Sequence, residues 1–194
     1  MDRERFQKTA FRRGERSRAR RGATVSGARP AAFLDRDGVL NVDHGYVHRL
    51  DELDLVPGAA EAVRLMNDAG YLVIVVTNQS GVARGRYSED DVRRFNDELA
   101  KRLAAEGARI DAFYYCPHHP EGTIARYRLA CDCRKPRPGM LVQAARDFDI
   151  DRGRSFLIGD RHGDSEAAAA FGIRSVLFDA KMQSLVDVAR ATLR

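Results

Sequence analysis

Long apolar runs are missing from this chain of 194 residues. No stretch approaches the roughly 20 apolar residues that a membrane-crossing helix needs, so a soluble protein with no membrane partner is expected. No apolar segment follows the basic N-terminus, so Arg12 and Arg13 do not read as an export signal. Cysteine is scarce too: there are three, all between Cys116 and Cys133. An odd, clustered set does not build a disulfide framework. It points to metal or redox chemistry in a reducing compartment, hence to the cytoplasm. No internal repeat and no second domain is discernible.

The net charge of +5 is unevenly spread, because residues 1–30 hold ten Lys/Arg against three Asp/Glu and the remainder is slightly acidic. Residues 1–29 have few large apolar side chains and no sustained period, so a disordered basic tail is expected there. It reads as a solvated extension rather than a nucleic-acid arm. Residues 30–194 then form one domain, expected to be monomeric.

From Ala31 onward, apolar runs ending in polar turns alternate with helical segments. Strands are expected at 31–34, 71–76, 112–115, 155–158 and 175–178. Helices are expected at 59–69, 88–105 (with Ser88 as N-cap and Asp91 at its third position), 139–148, 165–171 and 184–193. Strand–helix alternation predicts an α/β fold with a doubly wound parallel sheet. Such sheets bind ligands beyond the carboxyl ends of their strands.

That rule directs attention to the residues just past each strand. After the first comes Asp35-Arg36-Asp37-Gly38, after the second Thr77-Asn78-Gln79-Ser80-Gly81, and after the fourth Gly159-Asp160 with Asp164 close behind. Carboxylates gathered at one edge repel unless a cation compensates, and carboxylate oxygens plus phosphate suit Mg²⁺. Asp35 and Asp37 are two residues apart, so on extended backbone they face one side. One can then act as nucleophile and the other as general acid on one phosphate. Read singly, each Asp is an ordinary cap or turn residue; the ordered set is not.

A second constellation gives Cys116-x-His118-His119 and then Cys131-x-Cys133. Three thiolates and one imidazole are the closed tetrahedral set of structural Zn²⁺. Spacing alone leaves His118 and His119 open, and also leaves a redox pair at Cys131 and Cys133. The cluster directly precedes Arg134-Lys135, so one metal would pin the loop presenting that lysine.

These segments (AAFLDRDGVLN, VIVVTNQSG, CRKP and FLIGDRHGD) resemble the four ordered motifs of haloacid dehalogenase-type phosphatases, from about Pro30 to the C-terminus. The resemblance implies a Rossmann-like core in which Asp35 attacks phosphorus and Asp37 is the general acid/base. Thr77 and Lys135 would stabilise the phosphoryl group. Mg²⁺ would be held by Asp35, the Asp37 carbonyl and Asp160, with Asp164 behind them, and His118 would be the zinc-binding histidine. Receiver domains share an acceptor Asp on such a sheet, but a general acid two residues later and the metal loop argue for turnover. The gaps between motifs are too short for a cap domain, so specificity must come from loops 43–46, 80–86 and 134–137. Within the family, NVDHGYV and TNQSGVARG resemble the branch acting on sugar bisphosphates, with histidinol phosphate as the alternative substrate. That branch implies substrate contacts from Asp43, His44, Gly45, Tyr46, Asn78, Gln79, Ser80 and Arg134. Arg161 stands where the family commonly has a lysine.

Overall fold

The computed structural model of the protein describes residues 7–9 and 27–194. Its sheet has the order β1-β4-β3-β2-β5-β6, with β1 Gln7–Thr9, β2 Ala31–Leu34, β3 Leu72–Asn78, β4 Ala112–Cys116, β5 Phe156–Gly159 and β6 Arg174–Leu177. Strands β2 to β6 run parallel, and β1 pairs antiparallel with the outer side of β4. Helices α1 (Ala59–Asp68), α2 (Glu89–Ala105) and α5 (Leu185–Thr192) cover one face; α3 (Gly139–Asp147) and α4 (His162–Phe171) cover the other.

The strands read as continuous apolar runs because both faces are buried. Ala32, Leu34, Val73, Val75, Phe156 and Ile158 pack toward α1, α2 and α5. Their alternates Ala31, Phe33, Leu72, Ile74, Val76 and Leu157 pack toward α3 and α4, as do Cys116, Cys131 and Cys133. Helix α2 starts as expected: Ser88 accepts from the Asp91 N–H, and the Asp91 carboxylate accepts the Ser88 N–H.

Register positions the site. Leu34 lies opposite Val75 and Ile158, and the Asp35 N–H donates to the Ile158 carbonyl at 2.9 Å. Within the next two residues, Asp35, Thr77 and Asp160 emerge together at the carboxyl edge of the three central strands. Between β2 and β3 lie a loop, a 3-10 turn and α1, and between β3 and β4 a loop and α2. No cap domain is inserted at either point.

Three details depart from the sequence reading. Strand β3 runs on to Asn78, because Thr77 and Asn78 continue the ladder with Tyr115 and Cys116. Helix α4 begins at His162, which puts Asp164 in its first turn, where its carboxylate accepts the Arg161 N–H at 3.1 Å. The expected tail falls mainly on residues 1–6 and 10–26, which lie outside the described residues, but Gln7–Thr9 form β1. Its last residue, Arg29, belongs to the domain. Its backbone bridges to Ile150, and its guanidinium donates to the Gly70 carbonyl just past the end of α1, where a cation meets the helix dipole favourably.

Candidate active site and metal centres

An open cleft of ≈ 380 Å³ lies over the carboxyl edge. Asp35, Asp37, Thr77 and Lys135 line its floor, and Asp43, Tyr46, Ser80, Tyr87, Arg134 and Arg161 line its walls and rim.

Asp35 is only 7 % exposed. Its Oδ1 accepts the Arg36 N–H at 2.7 Å and lies 3.0 Å from Lys135 Nζ. Burial pushes its pKa up to about 7; Lys135 opposes the rise, while Asp164 and Asp37 add to it. Lys135 is itself buried and sits between two carboxylates, 2.5 Å from Asp164 Oδ1 as an ion pair without hydrogen-bond alignment. It donates to the Val76 carbonyl at 2.7 Å. Burial alone would lower the lysine pKa, but Asp35 and Asp164 together raise it. One ammonium thus faces two buried carboxylates, with Asp160 alongside.

One carboxylate oxygen from each of Asp35, Asp160 and Asp164 lies within 4.8 Å of the other two. Asp160 Oδ1 is buried and has no hydrogen-bond partner among the described residues. Burial, with Asp164 adding, raises the Asp160 pKa against the pull of Arg161. A divalent cation would answer all three observations, and the site fits one. Two glycines leave room for its ligands. A Cβ at Gly38 (φ +84°) would lie 2.5 Å from Asp160 Oδ2, and one at Gly159 would lie 2.3 Å from Asp164 Cγ.

Asp37 is held differently. Its Oδ1 accepts from Arg36 Nε (3.1 Å) and Asn41 Nδ2 (3.0 Å), and its Oδ2 from Arg36 Nη2 (3.0 Å) and Gln79 Nε2 (2.8 Å). Arg36 has no exposed surface; it packs on the Phe95 ring at 4.4 Å and donates to Asn96 and to the Val47 carbonyl.

The loop over the cleft curls through Gly45 (φ +85°) and Tyr46 (φ +57°). A left-handed tyrosine costs about 1 kcal/mol, and three contacts hold it. Asp43 accepts the Gly45 N–H at 2.8 Å, His48 Nδ1 meets the Tyr46 carbonyl at 2.8 Å, and the Arg86 guanidinium lies 4.0 Å above the Tyr46 ring. Asp43 also accepts from Arg161 at 2.9 Å, tying this loop to the start of α4.

Beside the cleft, the sulfurs of Cys116, Cys131 and Cys133 are 3.2–3.5 Å apart. His118 Nδ1 is 3.4 Å from Cys133 and 3.8 Å from Cys116. Ligands at zinc bond lengths stand about 3.5–3.8 Å apart at tetrahedral angles, so the set fits a central Zn²⁺. The thiol contact with Cys131 pushes Cys116 up to about 12, Cys133 is raised by its thiol neighbours, and Cys131 is the one thiol pulled down. A cation is what would let all three be thiolates. His119 turns away, its ring against Arg84 at 3.3 Å.

A family model for HAD-hydrolase-like proteins matches residues 132–190. D-glycero-beta-D-manno-heptose-1,7-bisphosphate 7-phosphatase of Rhodopseudomonas palustris is 48 % identical, over 85 % of this chain and 95 % of its own. The chain belongs to the HAD-type phosphatases. The enzyme of the same name from Salmonella typhi is also 48 % identical, over 74 % of this chain and 77 % of its own. In structure, D,D-heptose 1,7-bisphosphate phosphatase from B. bronchiseptica, complexed with magnesium and phosphate, matches with TM-score 0.74 and 31 % identity. It covers 84 % of this chain and 98 % of its own.

This HAD-type phosphatase brings most of the expected residues together, but two of the expected substrate contacts do not face the cleft. His44 is exposed and turned to Asp54 at 3.4 Å. Gln79 is buried, with its amide spent on Asp37, Thr77 and Tyr87. Asn78 lines the cleft and also clamps the lysine loop, donating to the Lys135 carbonyl and accepting its N–H. Sequence reasoning missed Arg36, Asn41 and Tyr87. Alternation along β2 offers one signal, since it sends Arg36 to the face opposite Asp35, where no solvent awaits a charge.

Proposed function

We propose that the chain hydrolyses the C7 phosphate of D-glycero-β-D-manno-heptose 1,7-bisphosphate, leaving the anomeric phosphate in place. Asp35 attacks phosphorus, the alkoxide at C7 leaves with a proton from Asp37, and an aspartyl-phosphate remains. Asp37 then takes a proton from the water that hydrolyses it. Thr77 and Lys135 carry the phosphoryl charge, the kind of fixed electrostatic help on which phosphoryl transfer depends. Mg²⁺, held by Asp35, the Asp37 carbonyl and Asp160 with Asp164 behind, would neutralise charge on the phosphate. Zn²⁺ on Cys116, His118, Cys131 and Cys133 would order the loop carrying Lys135. Three reduced thiols suit the cytoplasm, and the heptose 1-phosphate product has the form that nucleotidyl transfer uses on the way to ADP- or GDP-heptose.

The observation that carries the substrate is the basic rim. Arg134 and Arg161 line the cleft and Arg86 stacks on Tyr46 beside it, which suits a second phosphate. A guanidinium can bind phosphate bidentately, and a contact worth about 2–3 kcal/mol corresponds to about 30- to 150-fold in kcat/KM. Histidinol phosphate brings a cationic amine to that rim instead. Phosphate release with Mg²⁺ from both compounds tests the reading. The bisphosphate is expected to win by at least tenfold, and Arg134→Ala to hurt it more than a monophosphate. Equal efficiency, or an equal loss on both, returns the assignment to histidinol-phosphate phosphatase.

A further inference from the structure

Gln79 is the point where three parts of the site meet. Its Nε2 donates to Asp37 Oδ2 at 2.8 Å and lies 2.9 Å from Thr77 Oγ1, while its Oε1 accepts the Tyr87 hydroxyl at 2.7 Å. The orientation is forced: a flipped amide would set Oε1 against the Asp37 carboxylate, which offers only acceptors. Gln79 is 1 % exposed, so it touches no solvent itself. Tyr87 does reach the cleft. Its ring fills the space over Gly81, where a Cβ would lie 2.1 Å from it, and stacks on His48 at 4.7 Å.

Among the described residues, Asp37 has three side-chain partners. Arg36 is fully buried and pinned by Asn96, the Val47 carbonyl and Phe95. Asn41 is fully buried and also donates to the Val42 carbonyl. Only Gln79 leads to the cleft, through Tyr87 on one side and Thr77 on the other.

We propose that Tyr87 and Gln79 are a positioning pair through which the occupied cleft sets Asp37 for protonation of the leaving group. The proposal rests on the phosphatase reading above. Neither residue transfers a proton. Asp37 accepts four N–H donors, and delivering a proton to a leaving oxygen requires it to turn from at least one of them. Gln79 is the partner that the cleft can move, since a group that engages the Tyr87 hydroxyl or Thr77 Oγ1 competes for what the amide holds.

The test is dependence on the leaving group. An alkyl phosphate needs its leaving oxygen protonated; p-nitrophenyl phosphate does not, because nitrophenolate is a stable anion. For the aryl ester, kcat/KM ends at nitrophenolate release, so it does not register how Asp37 is placed. Steady-state kinetics with Mg²⁺ on the full chain would compare wild type, Gln79→Leu and Tyr87→Phe on the heptose bisphosphate and on p-nitrophenyl phosphate. A misplaced catalytic group costs up to about a hundredfold. Gln79→Leu is therefore expected to lower the alkyl-to-aryl ratio of kcat/KM by at least about tenfold, and Tyr87→Phe to lower it in the same direction by less. Tyr87→Phe keeps the ring and its stack, so it decides the matter if Gln79→Leu fails to fold. An unchanged ratio, whether both activities fall together or neither falls, overturns the pair. A wild-type enzyme releasing phosphate from neither ester overturns the phosphatase reading, and the pair with it.

Discussion

The company Asp35 keeps predicts that it can be mutated without collapse. It shares Lys135 with Asp164 at 3.0 and 2.5 Å, and the same ammonium donates to the Val76 carbonyl. Removing one partner of a buried ion pair is severe when the other is left alone. In Asp35→Asn the lysine keeps a carboxylate and a carbonyl. The expected outcome is a folded protein by circular dichroism with phosphate release below detection, because an amide does not attack phosphorus. Near-normal turnover in the folded variant would remove Asp35 from the mechanism.

The loop from Cys116 to Lys135 belongs to the scale of elements. It has little regular structure, one 3-10 turn at Ala125–Tyr127, and is fastened at three places. The cluster of Cys116, His118, Cys131 and Cys133 holds one end, Asn78 grips the Lys135 backbone, and the Tyr115 and Tyr127 hydroxyls both donate to Glu89 on α2. Structural zinc supplies on the order of 10 kcal/mol in small peptides, more than those hydrogen bonds. Elemental analysis should find about one zinc per chain that survives mild chelation, while magnesium is lost. Cys131→Ser should lower kcat by loosening Lys135. A zinc-free protein with full activity would leave the cysteines as core residues. The elements most legible in the sequence are those with a period. Strands β2, β3 and β5 are buried on both faces and announce themselves as apolar runs, with acids past the ends of β2 and β5 and Thr77 at the end of β3. Strand β1, Gln-Lys-Thr, has no such run and is fixed by pairing with β4. The start of α4 is hard to read because His162 and Gly163 look like loop, and only the Asp164 cap makes them helical. The clamp on Asp37 joins residues 42 apart through Gln79, and no local pattern encodes that.

For the whole molecule, β1 and Gly27 to Arg29 are the described parts of the basic segment. Gln7 lies opposite Tyr115 and Thr9 opposite Phe113, so β1 runs from the carboxyl edge of the sheet toward its amino edge, where Gly27 to Arg29 lie ahead of β2. The cleft is at the carboxyl edge, no chemical motif lies in residues 1–29, and charges are screened over about 8 Å at physiological ionic strength. Deleting residues 2–28 should therefore leave kcat/KM within a few-fold, at the cost of an edge strand and a lower melting temperature. A large loss of kcat/KM at that salt would make the segment part of substrate capture.

The strand order has a consequence for how this enzyme comes into being. Strand β2 is central, yet it is the first of the parallel strands to be made, and its neighbour β5 lies far downstream: the Ala31 N–H donates to Ser155 Oγ across 124 residues. Closing so long a loop is slow compared with forming local contacts. A nascent chain that has emerged only as far as α3 carries Asp35 at the end of a strand with one flank bare, and neither Asp160 nor Asp164 beside it. Activity therefore arrives late in synthesis and all at once, and the bare flank of β2 is the surface that a chaperone, or a neighbouring half-made chain, would meet first.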